Sequence, residues 1–129
     1  MSESTVKSFE ELQCWQACRH LRYFVRRKIV PIMPKEEVYR LSDQITRSSR
    51  STTANIAEGY GRFHYLDNAK FCSNSRGSCW ETLDHLITAN DDGLIDDELL
   101  HQGRELVNSA VKLTNGYISY LQRAAKSQQ

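Results

Sequence analysis

Apolar side chains recur along most of this chain at spacings of three and four, the periodicity of amphipathic helices. Phe9, Leu12, Trp15, Cys18, Leu21, Phe24, Val25 and Ile29 share one face of a first helix. Ser8 followed by Glu11 has the form of a capping box and predicts its start, and Pro31 and Pro34 stop it. A second helix is predicted from Pro34, tolerated as its first residue, to about Glu58. Val38, Leu41, Ile45, Thr52 and Ile56 mark its apolar side. From Ser48 it is built almost entirely of small residues, which let another helix approach closely. The third helix is predicted over Leu66 to Asn90, with Phe71, Ser75, Ser78, Thr82 and His85 on one side and Cys72, Cys79, Leu83, Leu86 and Ile87 near another.

Asn90-Asp91-Asp92-Gly93 reads as a turn, and Asp96 as the cap of a fourth helix. That helix has the most regular pattern of all. Leu99, Gly103, Leu106, Ala110, Leu113, Tyr117 and Tyr120 form one stripe, and Val107, Val111, Thr114, Ile118 and Leu121 run beside it. So wide an apolar face places the helix deep in a bundle or gives one flank to an oligomer contact. Gly77 lies mid-helix, where glycine costs about 1 kcal/mol relative to alanine. This predicts a helix crossing there, opposite the small residues of helix 2. Gly59 is expected to end helix 2 in the left-handed conformation.

With two prolines, few glycines and 129 residues, this punctuation predicts one all-α domain. Residues 1–7 form a flexible N-terminus, 8–123 the bundle, and 124–129 a C-terminal tail. Nothing resembles a signal peptide or a bilayer-spanning run, so a cytoplasmic location with reduced thiols is expected.

The net charge of +1 gives no global pull toward nucleic acid, but the charge is unevenly placed. Residues 1–62 carry a net +4 and residues 63–129 a net −3. Arg19, Arg22, Arg26, Arg27 and Lys28 are five basic residues in ten, with no acid among them. They form either a solvated face or a phosphate-binding one. Tyr60, Arg62, Phe63, His64 and Tyr65 form a second candidate, either a stacking and phosphate-contact surface or aromatics plugging the end of the bundle. Gly59-x-Gly61 lacks the preceding strand and the Lys-Ser/Thr of a nucleotide loop.

Gln44, Arg47, Ser51, Asn55 and Glu58 form a polar stripe on helix 2. Arg47, Asn55 and Glu58 are expected to be partly buried and bonded to a neighbouring helix or subunit, with Glu81 pairing to Arg47 or Arg50. An active-site cleft is the competing reading of these residues, but it has no nucleophile or metal beside it. Cys14, Cys18, Cys72 and Cys79 lack zinc-knuckle spacing and suit buried small hydrophobes. The histidines are scattered, without Glu-x-x-His pairs. No metal, cofactor or catalytic group is expected, and the chain is read as a non-enzyme.

Several segments carry a family resemblance: Phe9, Leu12 and Trp15-Gln16-Ala17; Gln44-Ile45-x-Arg47-x-x-x-Ser51; Ala54-Asn55-Ile56-Ala57-Glu58-Gly59-Tyr60-Gly61-Arg62; and Gly77-Ser78-x-x-Glu81. Over about residues 8–122 the chain resembles the four-helix-bundle proteins encoded in intervening sequences of bacterial 23S rRNA genes. The resemblance implies an antiparallel up-down-up-down bundle that assembles as a homopentameric ring, and no known reaction. Accessory proteins of diversity-generating retroelements are similar in fold. They are pentamers that bind a reverse transcriptase and nucleic acid through a basic surface. Two functions are therefore expected: a ring that binds structured RNA or another nucleic acid through Arg19, Arg22, Arg26, Arg27, Lys28 and Arg62, or a protein-interaction scaffold such as an accessory subunit of a reverse transcriptase.

Overall fold

Four long helices carry the fold, and the computed structural model describes residues 7–128 of the chain. They are α1 (Gln13–Phe24), α2 (Leu41–Tyr60), α3 (Tyr65–Asp91) and α4 (Asp97–Ser127). Each packs on its neighbour in sequence, and α1 also packs on α4, which leaves α1 and α3 on the diagonal. Side-chain meetings fix the directions. Arg22 meets Thr53, Ser48 meets Thr82 and Asn68 meets Tyr117, while Gly103 lies against Leu86 and Phe24. Along α2 and α3 the meetings run in opposite order, Gly59 with Asn68 and Ser48 with Thr82, and along α3 and α4 likewise, Asn68 with Tyr117 and Leu86 with Gly103, so these neighbours are antiparallel.

Helix starts depart from the sequence expectation. Ser8 caps a 3-10 turn, Phe9–Glu11, by accepting from the Glu10 amide at 3.1 Å. Glu11 reaches the Lys7 amide at 3.4 Å instead of closing a reciprocal box. Leu12 is extended, which drives its side chain into the core and delays α1 to Gln13. Pro34 is likewise extended and precedes another 3-10 turn, Lys35–Glu37, so α2 begins only at Leu41. Val38, expected on the apolar side of helix 2, is therefore exposed. Asp96 caps α4 by accepting from the Leu99 amide at 2.9 Å. Helix α4 then continues to Ser127, so residues 124–127 extend it where a tail is expected. The expected N-terminal segment lies outside the described residues, apart from Lys7.

The core has two connected parts. One gathers Leu21, Ile56, Val107 and Leu121, and the other Phe24, Ile29, Ile45 and Leu86. Each such side chain contributes about 1.5–3 kcal/mol relative to exposure. On α4 the Val107–Leu121 stripe is the buried one, while Leu106, Leu113, Tyr117 and Tyr120 form a half-buried flank packed against the core.

The tightest seam is α2 on α3. Ser48 and Thr52 are buried there, Ser49 and Thr53 are buried on the side of α2 that faces α1, and each of the four hydroxyls donates to a carbonyl one turn back. Hydroxyls also bridge the helices. Ser75 donates to the Thr52 carbonyl at 2.7 Å, Ser48 and Thr82 lie 2.8 Å apart, and Ser78 donates to Ser51 at 3.0 Å. Gly59 sits inside α2 with no positive φ. It is the crossing glycine: a Cβ there would lie 2.9 Å from the Asn68 carbonyl oxygen and 2.9 Å from the Phe71 Cβ. Gly77, expected at the crossing, faces open space.

These two glycines should respond oppositely to alanine. Gly59→Ala overpacks the seam against backbone and should cost about 1–3 kcal/mol, whereas Gly77→Ala should stabilise by up to about 1 kcal/mol. Urea unfolding of both variants checks this, and equal shifts would contradict the assigned crossing.

Candidate nucleic-acid interface

Five basic side chains project from the C-terminal half of the first helical element. Helix α1 passes at Val25–Ile29 into a π-helical segment that carries Arg26, Arg27 and Lys28. The wider turn re-aims these side chains relative to a regular helix. Val25 and Ile29 stay fully buried beneath them, so the segment is anchored from below.

Tyr23 gathers the cluster. The Arg19 guanidinium donates to its hydroxyl at 2.8 Å and lies 5.0 Å from the ring centroid. Arg27 lies 4.5 Å and Arg22 5.6 Å from the same ring. Such contacts are each worth about 0.5–1 kcal/mol at exposed sites and hold like charges together. The Arg19 hydrogen bond, followed by its charge and those of Arg22 and Arg27, lowers the Tyr23 phenol pKa. Arg22 is further fixed by donating to the Thr53 hydroxyl at 2.8 Å.

This link to α2 brings in Arg50, one turn before Thr53. Arg22, Arg26 and Arg50 line a pocket of about 290 Å³ between the two helices, with Thr46 and Ser49 beside them and Val25 and Val30 as apolar wall. Sequence reasoning missed Arg50 and Tyr23. Tyr23 stands four residues from both Arg19 and Arg27, the spacing at which helical side chains meet. Arg50 needs the α1–α2 register.

Arg62 does not join the cluster. It lies at the opposite end of α2, paired with Glu58 at 3.7 Å and stacked 4.7 Å from the Phe71 ring. Phe63 in that hinge is fully exposed and plugs nothing, while Tyr65 is half-buried at the start of α3.

The expected cross-helix network of Arg47, Asn55, Glu58 and Glu81 is not formed. Arg47 pairs with Asp43 at 3.1 Å, and Asn55 donates to Ser51 at 2.8–2.9 Å. Glu81 pairs with His85 at 3.1 Å and not with Arg47 or Arg50. Partners one turn away on the same helix are nearer than any across the seam.

All four cysteines are buried and unbridged. Cys18 of α1 reaches across the diagonal to Cys79 and Ser75 of α3, each at 3.8 Å. The Thr114 hydroxyl of α4 lies near this thiol, outside hydrogen-bond geometry with any partner among the described residues. With Thr52 of α2, all four helices meet in a fully buried thiol-hydroxyl layer. The hydrogen bond from Cys79 holds the proton on Cys79, raising its pKa and lowering that of Cys18. Burial raises the pKa of Cys14, and pushes that of Cys72 up to about 12. Among the described residues, no three His, Cys, Asp or Glu side chains converge to hold a metal, and no helix is long and apolar enough to cross a membrane.

Residues 10–116 match the family model described as 23S rRNA-intervening sequence protein. No curated protein matches the chain.

The buried thiols carry a pH prediction. A thiol with an ordinary pKa of 9.0 when unfolded and about 12 when folded, as at Cys72, stays protonated only in the native state in that interval. The unfolded state then binds fewer protons, so stability falls as pH rises from about 9 toward 12. The urea midpoint should drop between about pH 8 and pH 10, and less steeply in Cys72→Ala. Identical slopes in both proteins would contradict the assignment.

Proposed function

The chain belongs to the 23S rRNA-intervening sequence protein family, and on that premise we propose that it is a non-enzymatic, ring-forming cytoplasmic protein that binds structured RNA or another nucleic acid through its basic surface. The observation that carries this reading is the Arg19–Lys28 cluster. Three of its five cations are collected on Tyr23, Arg50 extends it from α2, and the sequence has no acidic residue between Glu11 and Glu36. A cluster of like charges raises the local positive potential and attracts anions. A polyanionic phosphate backbone does so and releases counterions. Contacts of this kind position a nucleic acid without reading its sequence. A homopentameric ring, which the family resemblance implies, repeats the cluster five times, so modest contacts gain by avidity. Trp80 and Leu66, exposed on α3, supply apolar surface for the ring contacts.

A second reading draws on the same exposed apolar side chains, together with Phe63 and Tyr39. It is a scaffold for a protein partner, such as a reverse transcriptase of a retroelement. The two readings separate on charge.

Arg19→Glu combined with Arg26→Glu should abolish RNA binding and leave the helical circular-dichroism signal intact, because both side chains are exposed. Wild-type affinity should fall steeply with salt, with a slope set by the number of phosphates neutralised. Unchanged affinity in the double variant would refute the RNA reading and leave the scaffold.

A further inference from the structure

Within the basic surface, one feature differs from a patch. Arg22, Arg26 and Arg50, from two helices, line a concave pocket of about 290 Å³. Two hydroxyl-bearing residues, Thr46 and Ser49, line it, and no carboxylate does. Arg22 is already held by Thr53 at 2.8 Å, so part of the ordering cost of binding is met before a ligand arrives. Val25 and Val30 supply its apolar wall. Tyr23 lines it as well, while Arg19 and Arg27, which stack on that ring, and Lys28 lie outside the lining.

Three guanidiniums exceed what one phosphodiester within a strand needs, since it carries a single negative charge. A phosphate monoester carries about −1.5 to −2 at neutral pH and three terminal oxygens. Planar guanidinium forks match those oxygens well. We infer that this pocket is a phosphate-monoester site, built to take the phosphorylated end of an RNA strand in preference to phosphates inside it. The inference rests on the nucleic-acid reading above and sharpens it. The α1 face holds the strand, and the pocket, with Arg50 as its discriminating residue, selects the end. Free nucleotide monophosphates present the same chemistry, so the test separates the two sources.

The experiment is fluorescence anisotropy with one short single-stranded RNA sequence in three forms: phosphate at the 5′ end, phosphate at the 3′ end, or hydroxyls at both. At least one phosphorylated form should bind about tenfold tighter or more than the hydroxyl form. In Arg50→Ala, with the helical signal intact, affinity for the phosphorylated form should fall about tenfold more than affinity for the hydroxyl form, and equal losses for the two forms overturn the pocket. Displacement of the phosphorylated strand by adenosine monophosphate at comparable concentration assigns the pocket to free nucleotides, and displacement only at far higher concentration assigns it to strand ends. Equal affinity for all three RNAs, with binding intact, overturns the pocket and leaves the surface reading standing. Binding of adenosine monophosphate without any RNA upholds the pocket and removes the surface reading. No binding by any of the four ligands removes both.

Discussion

The closeness with which α2 and α3 cross constrains the rest of the molecule. Gly59 admits the Asn68 carbonyl and the Phe71 side chain to distances that any β-carbon would close off. Below that point the seam is lined with serine and threonine. Apolar side chains of ordinary size would hold two helices further apart. Small hydroxyl side chains let them approach, but each brings a polar group into the core. The cost of burying a hydroxyl is offset only when it finds a partner. Ser49 and Thr53 satisfy themselves on their own helix, and Ser48, Thr52 and Ser75 lock the two helices in register. Such a seam has few alternative registers, because a slip would strand several buried hydroxyls at once.

The register propagates outward. The central layer of Cys18, Thr52, Ser75, Cys79 and Thr114 ties α1 to its diagonal partner α3 through soft, weak contacts. Arg22 ties α1 to α2 at Thr53. Position along α1 is therefore fixed by buried groups on one side and by a guanidinium on the other. The π-helical turn then begins where α1 has Val25 and Ile29 still seated in the core. The basic face is thus a consequence of the packing: Val25 and Ile29 beneath it and the Arg22–Thr53 contact beside it fix where its arginines stand. Arg50 belongs to the same logic, since it meets Arg22 and Arg26 only in the observed α1–α2 register.

Much of the bundle was legible from periodicity. Helices α3 and α4 ran close to their expected bounds because Asp96 and the Asn90–Gly93 turn are strong local signals, and the small-residue run correctly marked the close seam. The two glycines were assigned the wrong way round. Gly77 is flanked by Ser75, Arg76 and Ser78, so composition alone could not say which flank faces a neighbour. Gly59 ended a run that looked like a helix terminus, yet tertiary contact carried the helix one residue further, to Tyr60. The starts of α1 and α2 were misplaced because Leu12 and Pro34 adopt extended backbone, the former for the sake of burial. The basic stripe was visible as a run of charge. Its organisation was not, because Tyr23 reads as one more aromatic and Arg50 lies on another helix. Within the chain, Arg47, Asn55 and Glu58 find partners one turn away on the same stretch and not on a neighbouring helix, because side chains four residues apart meet readily.

The proposed function requires a ring of these bundles that presents a repeated basic face to RNA. Light scattering after size exclusion, with nucleic-acid absorbance recorded on protein from a gentle lysis, tests it most directly. It predicts a particle of about five times the 14.9 kDa chain mass, carrying RNA that high salt removes. A monomer, or a ring free of nucleic acid at low salt, would contradict it.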